Sequence, residues 1–220
     1  MPDRLLEERA RRHAALGDPV RLAIIEDLVS SDRTSLELQE RAGLASNSLA
    51  YHLDVLEQAG LITRCQSRGD RRRRYICLVP SALPEPLARA AVGPRSALFV
   101  CTRNSARSPL AAALWRQLTA KPAISAGTRP AARINRGAVA AGQRAGVDLA
   151  AARPRPLDAI DAFPDLVVTV CDQAHEELDP ASDWLHWSVP DPVEVGTRAA
   201  FDATVRELRD RITALAETVA

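Results

Sequence analysis

The run Ser96-Ala97-Leu98-Phe99-Val100-Cys101-Thr102-Arg103-Asn104-Ser105-Ala106-Arg107-Ser108-Pro109 passes from an apolar segment through a polar loop, and Leu110 to Leu118 continues it in an amphipathic pattern. Ser96 to Val100 reads as a short buried strand, and Leu110 to Leu118 as a helix opened by Pro109, whose missing N–H costs nothing at a helix start. A loop between strand and helix turns successive backbone N–H groups inward, and the helix N-terminus adds positive potential. Such a loop binds a tetrahedral oxyanion and favours a thiolate nucleophile at Cys101. Arg107, six residues on, brings a planar fork to two oxygens of that anion. Ser108 is placed to hydrogen-bond the sulfur, and Asn104 to hold the loop in a left-handed turn. Thr102, Arg103, Ser105 and Ala106 complete the oxyanion-binding loop.

Downstream, apolar strands alternate with amphipathic helices, the signature of a parallel α/β sheet. Asp165-Leu166-Val167-Val168-Thr169-Val170-Cys171-Asp172 is one such strand, and Asp191-Pro192 forms a loop before the final helix. Upstream, Pro80, Pro84, Pro86, Gly93 and Pro94 break regular structure. The expected domains are therefore 1–80 and 95–220, with 81–94 as a proline-rich linker.

The N-terminal part is helical with one hairpin. Residues 3 to 16 form a charged helix, and Asp18-Pro19 caps and opens a second. Ser35 to Ala42, a Gly43-Leu44 turn and a helix from Ser46 carrying Leu49, Leu53 and Leu56 inward make a helix-turn-helix. Its second helix is expected to present Ser46, Asn47, Ser48, Tyr51 and His52 to a major groove. Gly60 ends that helix. Leu61 to Gln66 and Tyr75 to Val79 form a β-wing whose loop carries Arg68, Arg71, Arg72, Arg73 and Arg74, suited to a phosphate backbone.

The chain has 220 residues, a formal charge of +1 and 46% hydrophobic residues, so its basic character is local. No apolar run is long enough to span a bilayer and none resembles a signal peptide, so a cytoplasmic protein without a membrane partner is expected. The four cysteines match no zinc spacing. Cys65 and Cys77, on the two wing strands, are candidates for a thiophilic As(III) ion or are two half-buried strand residues.

Leu16 to Leu22 and Gly43 to Leu61 resemble the arsenical-resistance repressor (ArsR-type) family over about residues 10 to 80. The resemblance implies a homodimeric winged-helix repressor on palindromic operator DNA. Arsenite-sensing members carry a Cys-x-Cys pair early in the third helix, where this chain has Leu36-Glu37-Leu38-Gln39. Cys101-x2-Asn104-x2-Arg107-Ser108, Ser125-Ala126-Gly127-Thr128, the strand ending in Cys171 and Asp191-Pro192 resemble the low-molecular-weight protein tyrosine phosphatases and the arsenate reductases built on their fold. That resemblance covers about residues 95 to 217. It implies four parallel strands with helices on both faces, and Asp191 as the general acid.

The loop after Asp191-Pro192 continues Val193-Glu194-Val195-Gly196, without the aromatic residues with which the family's phosphatases wall a phenol ring. A small oxyanion, arsenate rather than an aryl phosphate, suits it better. Arsenate reduction needs electrons, and Cys171 aligns with the second redox cysteine of thioredoxin-coupled reductases. Their third cysteine is Leu178 here, and their second loop cysteine is Ala106. No bound cofactor is then required, but an external thiol reductant is: mycothiol with a glutaredoxin-like partner, or thioredoxin. Arg103 stands where the family commonly has Gly. The expected function is an arsenic-responsive regulator fused to an arsenate reductase. The alternatives are a tyrosine phosphatase with a DNA-binding domain, and a repressor whose second domain only senses phosphate or arsenate.

Overall fold

A computed structural model describes residues 3–83, 96–179 and 183–216 of the chain. The expected linker, 81–94, lies outside the described residues from position 84 onward.

The N-terminal part contains α1 (Arg4–Leu16), α2 (Pro19–Ser30), β1 (Arg33–Thr34), α3 (Ser35–Ala42), α4 (Ser46–Gln58), β2 (Ile62–Gln66) and β3 (Arg74–Leu78). Local chemistry sets the helix starts. The Asp18 carboxylate accepts the N–H groups of Val20 and Arg21, with Pro19 in the first turn. Thr34 and Glu37 form a reciprocal capping box at α3. Leu49, Leu53 and Leu56 of α4 are buried among Ile24, Ile25, Leu28 and Leu38. The wing strands pair antiparallel in the order β1-β3-β2. The short strand β1 carries no pattern of its own and exists because Arg33 and Thr34 lie opposite Ile76 and Tyr75.

The C-terminal part contains β4 (Ala97–Cys101), α5 (Arg107–Thr119), β5 (Ala123–Gly127), α6 (Arg136–Arg144), β6 (Leu166–Thr169), α7 (Asp172–Leu178), β7 (Leu185–His186), α8 (Pro192–Val195) and α9 (Arg198–Ala216). The sheet has four parallel strands in the order β5-β4-β6-β7. Strand β4 is central and every residue in it is buried, as its uninterrupted apolar run requires. Because β4 comes first in the chain yet lies between β5 and β6, connections leave it on both sides. Cys101 sits at its carboxyl end, the position at which sheets of this topology hold ligands. Helix α5 begins at Arg107 rather than at Pro109, so Arg107 and Ser108 belong to its first turn. Proline is tolerated at the third position because that N–H has no intrahelical acceptor.

The two parts share a buried seam. Asp32 N donates to His186 O at 2.7 Å, His186 N to Ser31 Oγ at 2.9 Å, and Trp187 Nε1 to Ser30 O at 2.9 Å. The buried Asp32 carboxylate accepts Ser188 N at 2.7 Å and Arg211 Nη1, from α9, at 2.9 Å. Such a charge is tolerated inside because each of its oxygens has a donor and a cation lies beside it. Ala214 of α9 packs on the N-terminal apolar core, so the helix serves both domains.

Candidate active site and DNA-facing surface

The loop after β4 is shaped from outside. Its carbonyls at Cys101, Thr102, Arg103 and Ser105 accept the N–H groups of Thr128, Arg129, Ala131 and Asn135 at 2.8–3.2 Å. With the carbonyl edge tied outward, the amide edge faces the sulfur. Asn104 N lies 3.2 Å from Cys101 Sγ and Ser108 Oγ lies 3.0 Å from it. Asn104 is in the left-handed region at φ 46°, and its side chain accounts for that strain. Nδ2 donates to Ser108 Oγ and Ser125 Oγ, both at 2.9 Å, and Oδ1 accepts Arg155 N at 3.0 Å. Gly127 lies directly beneath: a Cβ there would stand 2.8 Å from Thr102 O and 3.0 Å from Asn104 N, so no larger residue fits.

Arg107 is buried and spans two groups of the loop before α8. Nη1 donates to Val189 O at 3.1 Å and Nη2 to Asp191 Oδ2 at 2.5 Å. Burial opposes its charge, but the anionic forms of Cys171, Cys101 and Asp191 around it raise its pKa on balance. Asp191 Oδ1 accepts Val193 N at 2.9 Å and so caps α8. Val193 and Val195 beyond it are exposed. The buried Cys171 Sγ accepts Thr102 N at 3.3 Å and Ala174 N at 3.4 Å. Burial pushes that thiol's pKa up. Arg103 is exposed at the rim.

On the other domain, Ser46, Asn47 and Tyr51 are exposed along α4 and Ser48 is half-buried. His52 departs from expectation. Its side chain is 13% exposed and Nδ1 lies 3.7 Å from Asp18 Oδ1, so it faces the α2 cap and not a groove. It sits between Leu49 and Leu53 on the flank of the inward stripe, where a turn of a few tens of degrees decides the side. Arg71, Arg72 and Arg73 are exposed at the wing tip, and Arg74, expected in the loop, is exposed at the start of β3 opposite Gln66. Arg68 is a second departure: its guanidinium reaches Glu194 at 2.6 Å, and its N–H reaches Asp172 Oδ2 at 2.9 Å. The Arg68–Glu194 pair is open to solvent on both sides, so the backbone N–H is the firmer of its two contacts with the other domain.

Cys65 lies opposite Tyr75 and Cys77 opposite Thr63, so the two cysteines are diagonal neighbours on one face of the hairpin. The neighbouring Cys77 thiol brings the Cys65 pKa down to about 7, while Cys65 and burial push Cys77 up. Among the described residues no group of three metal-ligating side chains comes together.

The sequence profile described as low molecular weight phosphotyrosine protein phosphatase matches residues 96–220, and that of a helix-turn-helix domain matches residues 16–65. The chain belongs to the low molecular weight phosphotyrosine protein phosphatase family. Its N-terminal part is a helix-turn-helix of the arsenical-resistance repressor type, fused to this family's catalytic fold. A probable mercury resistance operon repressor from Streptomyces lividans is 33% identical over 96 residues, which are 43% of this chain and 75% of that protein. Among solved structures, an arginine phosphatase matches at 22% identity with a TM-score of 0.50, over 56% of this chain and 95% of that one. An arsenate reductase from Archaeoglobus fulgidus matches at 27% identity and a TM-score of 0.46, over 54% and 97%. The domain is an enzyme of the Cys-x5-Arg thiolate class.

The phosphatase-family domain also holds a buried polar network that no sequence motif announces. His186 Nε2 lies 3.1 Å from Asp172 Oδ1, and Thr169 Oγ1 lies 3.0 Å from both His186 Nδ1 and His175 Nδ1. Burial opposes the Asp172 charge, yet hydrogen bonds from His186 and Arg68 N hold its pKa below the ordinary value. Burial and the neighbouring His186 push His175 down to about 3, so it is neutral. Asp172 and Glu176 take partners from wing residues more than a hundred positions away, as His186 does from the seam, and local patterning cannot signal such pairs. Among the described residues no helix is long and apolar enough to cross a membrane.

Proposed function

We propose that the catalytic domain reduces arsenate to arsenite and that the N-terminal domain binds operator DNA as a homodimer in the cytoplasm. The observation that carries the reductase reading is Cys171, a second buried thiol in direct contact with Thr102, the residue after the nucleophile. Cys101 attacks arsenic, and the loop amides with Arg107 hold the oxyanion as charge builds on it. Once the anion takes the Arg107 fork, Asp191 is released to protonate the departing oxygen. Ser108 steadies the sulfur and Asn104 keeps the loop in shape. Cys171 then attacks Cys101 Sγ, and an external thiol, mycothiol with a glutaredoxin-like partner or thioredoxin, reduces the resulting disulfide. The exposed Val193 and Val195 beside Asp191 supply no aromatic wall, which favours a small anion over an aryl ester.

On the DNA side, Ser46, Asn47, Ser48 and Tyr51 read bases while Arg71, Arg72 and Arg73 lie along phosphates. Cys65 and Cys77 together provide two soft donors for As(III).

The test compares arsenate with a mycothiol or thioredoxin system against p-nitrophenyl phosphate, with Cys101→Ser as control. Arsenite formation lost in the variant supports the reading. Phosphate release that needs no thiol, with no arsenite formed, moves the assignment to phosphatase, for which the intact Asp191 is the favouring observation. Inactivity on both substrates leaves an oxyanion-sensing repressor.

A further inference from the structure

The base of the wing is docked on α7. Ser67 Oγ donates to Glu176 Oε1 at 2.7 Å, Tyr75 OH to the same oxygen at 3.1 Å, and Arg68 N to Asp172 Oδ2 at 2.9 Å. Asp70 N donates to Glu176 Oε2. Gly69 approaches so closely that a Cβ there would meet Glu176 Oε2 and lie 3.2 Å from Gln173 Cα. Two carboxylates of one short helix therefore hold four groups of the wing.

The same helix starts at the catalytic loop. Cys171 is its N-cap, with Sγ accepting Ala174 N and Thr102 N, and Thr102 Oγ1 lies 3.4 Å from Gln173 Oε1. A helix of seven residues has few internal hydrogen bonds, so the cap is a large share of what holds it.

We propose that α7 makes the catalytic site the effector site of the DNA-binding domain: a Cys101–Cys171 disulfide uncaps α7, loosens the wing and weakens DNA binding. This rests on the reading of Cys171 as the thiol that resolves the arsenic adduct. In that step the Cys171 sulfur attacks Cys101 Sγ and the S–S bond forms. The Cys101–arsenic bond breaks with its electron pair staying on arsenic. The two sulfurs lose two electrons, As(V) gains them, and the Cys171 proton goes to an oxygen of the departing arsenite. Bonded to Cys101, the Cys171 sulfur is drawn toward the loop and is a poorer acceptor for Ala174 N. Asp172 and Gln173 follow it in the chain, so the carboxylate contacts to the wing go with the cap. The seam's bonds at Ser30, Ser31 and Asp32 and the Asp32–Arg211 pair involve other atoms and keep the domains together, and the His186 side chain, bonded to Asp172, is where α7 touches that seam. A docked wing has already lost its conformational freedom, whereas a loosened one must be ordered on the DNA. The expected loss of affinity is roughly five- to tenfold. The response would then originate in the catalytic loop, in a chain whose α3 carries Leu36-Glu37-Leu38-Gln39 and no cysteine.

The experiment measures binding of the full chain to a fluorescent mixed-sequence duplex of about 30 base pairs at about 50 mM salt, where the wing's phosphate contacts dominate. Binding is read before and after arsenate, and again after diamide, a thiol oxidant that needs no turnover. Peptide mass mapping identifies the Cys101–Cys171 bond and separates it from a Cys65–Cys77 bond. The expected result is a roughly five- to tenfold affinity loss with the bond, reversed by dithiothreitol. Cys171→Ser keeps a capping oxygen but cannot form the bond, so it retains the reduced protein's affinity under both reagents. Glu176→Ala removes the main acceptor of the wing and binds weakly with or without oxidation. A mapped Cys101–Cys171 disulfide that leaves affinity unchanged overturns the proposal, as does a Cys171→Ser protein that still responds with no Cys65–Cys77 bond mapped. If diamide forms the bond and arsenate does not, the resolving role of Cys171 fails, while the diamide measurement still decides the coupling. Absence of the bond under both reagents overturns both.

Discussion

Replacing Arg211 with Met separates two electrostatic accounts of the seam. Arg211 is 4% exposed and holds Asp32 at 2.9 Å and Glu207 at 3.2 Å, so one cation serves two carboxylates. Burial raises the Glu207 pKa, so the site tolerates a second anion only beside this cation. In Arg211→Met the Asp32 carboxylate keeps Ser188 N but loses its cation, and a buried charge stripped of its partner costs about 3–5 kcal/mol. In Asp32→Asn the shape is retained and Arg211 still has Glu207, so the loss is that of hydrogen bonds to a charged group, about 1.5–3 kcal/mol. The cost should thus fall mainly on the arginine variant. Urea unfolding followed by fluorescence reads this directly, because Trp187 is buried at the seam and bonded to Ser30 O. Combining the two substitutions should recover part of the arginine loss, since a neutral amide at position 32 needs no cation. An Asp32→Asn protein destabilised as much as Arg211→Met would refute the view that Arg211 balances two carboxylates.

Two other expectations concern the catalytic domain. Asn104→Ala puts a side chain without compensating bonds at φ 46°; turnover should fall roughly tenfold or more as the loop loosens, with the far-ultraviolet dichroism unchanged. His175 titrates near 6.5 when unfolded and is held neutral down to about 3 in the fold. A depressed histidine pKa means the unfolded chain takes up the proton first, so stability falls as pH drops below 6.5, by roughly 2–3 kcal/mol at about pH 4.5. Chemical denaturation across that range should show the slope, and His175→Asn should flatten it.

Much of the catalytic loop can be read from the chain because its parts are consecutive. Strand, nucleophile, Asn104, Arg107 and Ser108 lie within a dozen residues, and strand-to-helix geometry alone turns them toward one point. The helix caps at Asp18 and Thr34 are set by neighbours in the same way. Helix α5 starts two residues before Pro109, since a proline marks the first turn of a helix without fixing which position of that turn it takes. His52 turns inward because a residue on the edge of an amphipathic stripe has no periodicity to say which way it leans.

Residue order alone dictates the chemistry of Cys101 to Ser108 and the two kinds of domain, since both follow from neighbours along the chain. That these domains share an interior emerges only on folding. Asp32 meets Arg211, Ser31 meets His186, and the wing meets Glu176 and Asp172 across more than a hundred residues. Nothing local marks such pairs, because a buried charge or backbone amide must find its partner wherever the folded chain supplies one.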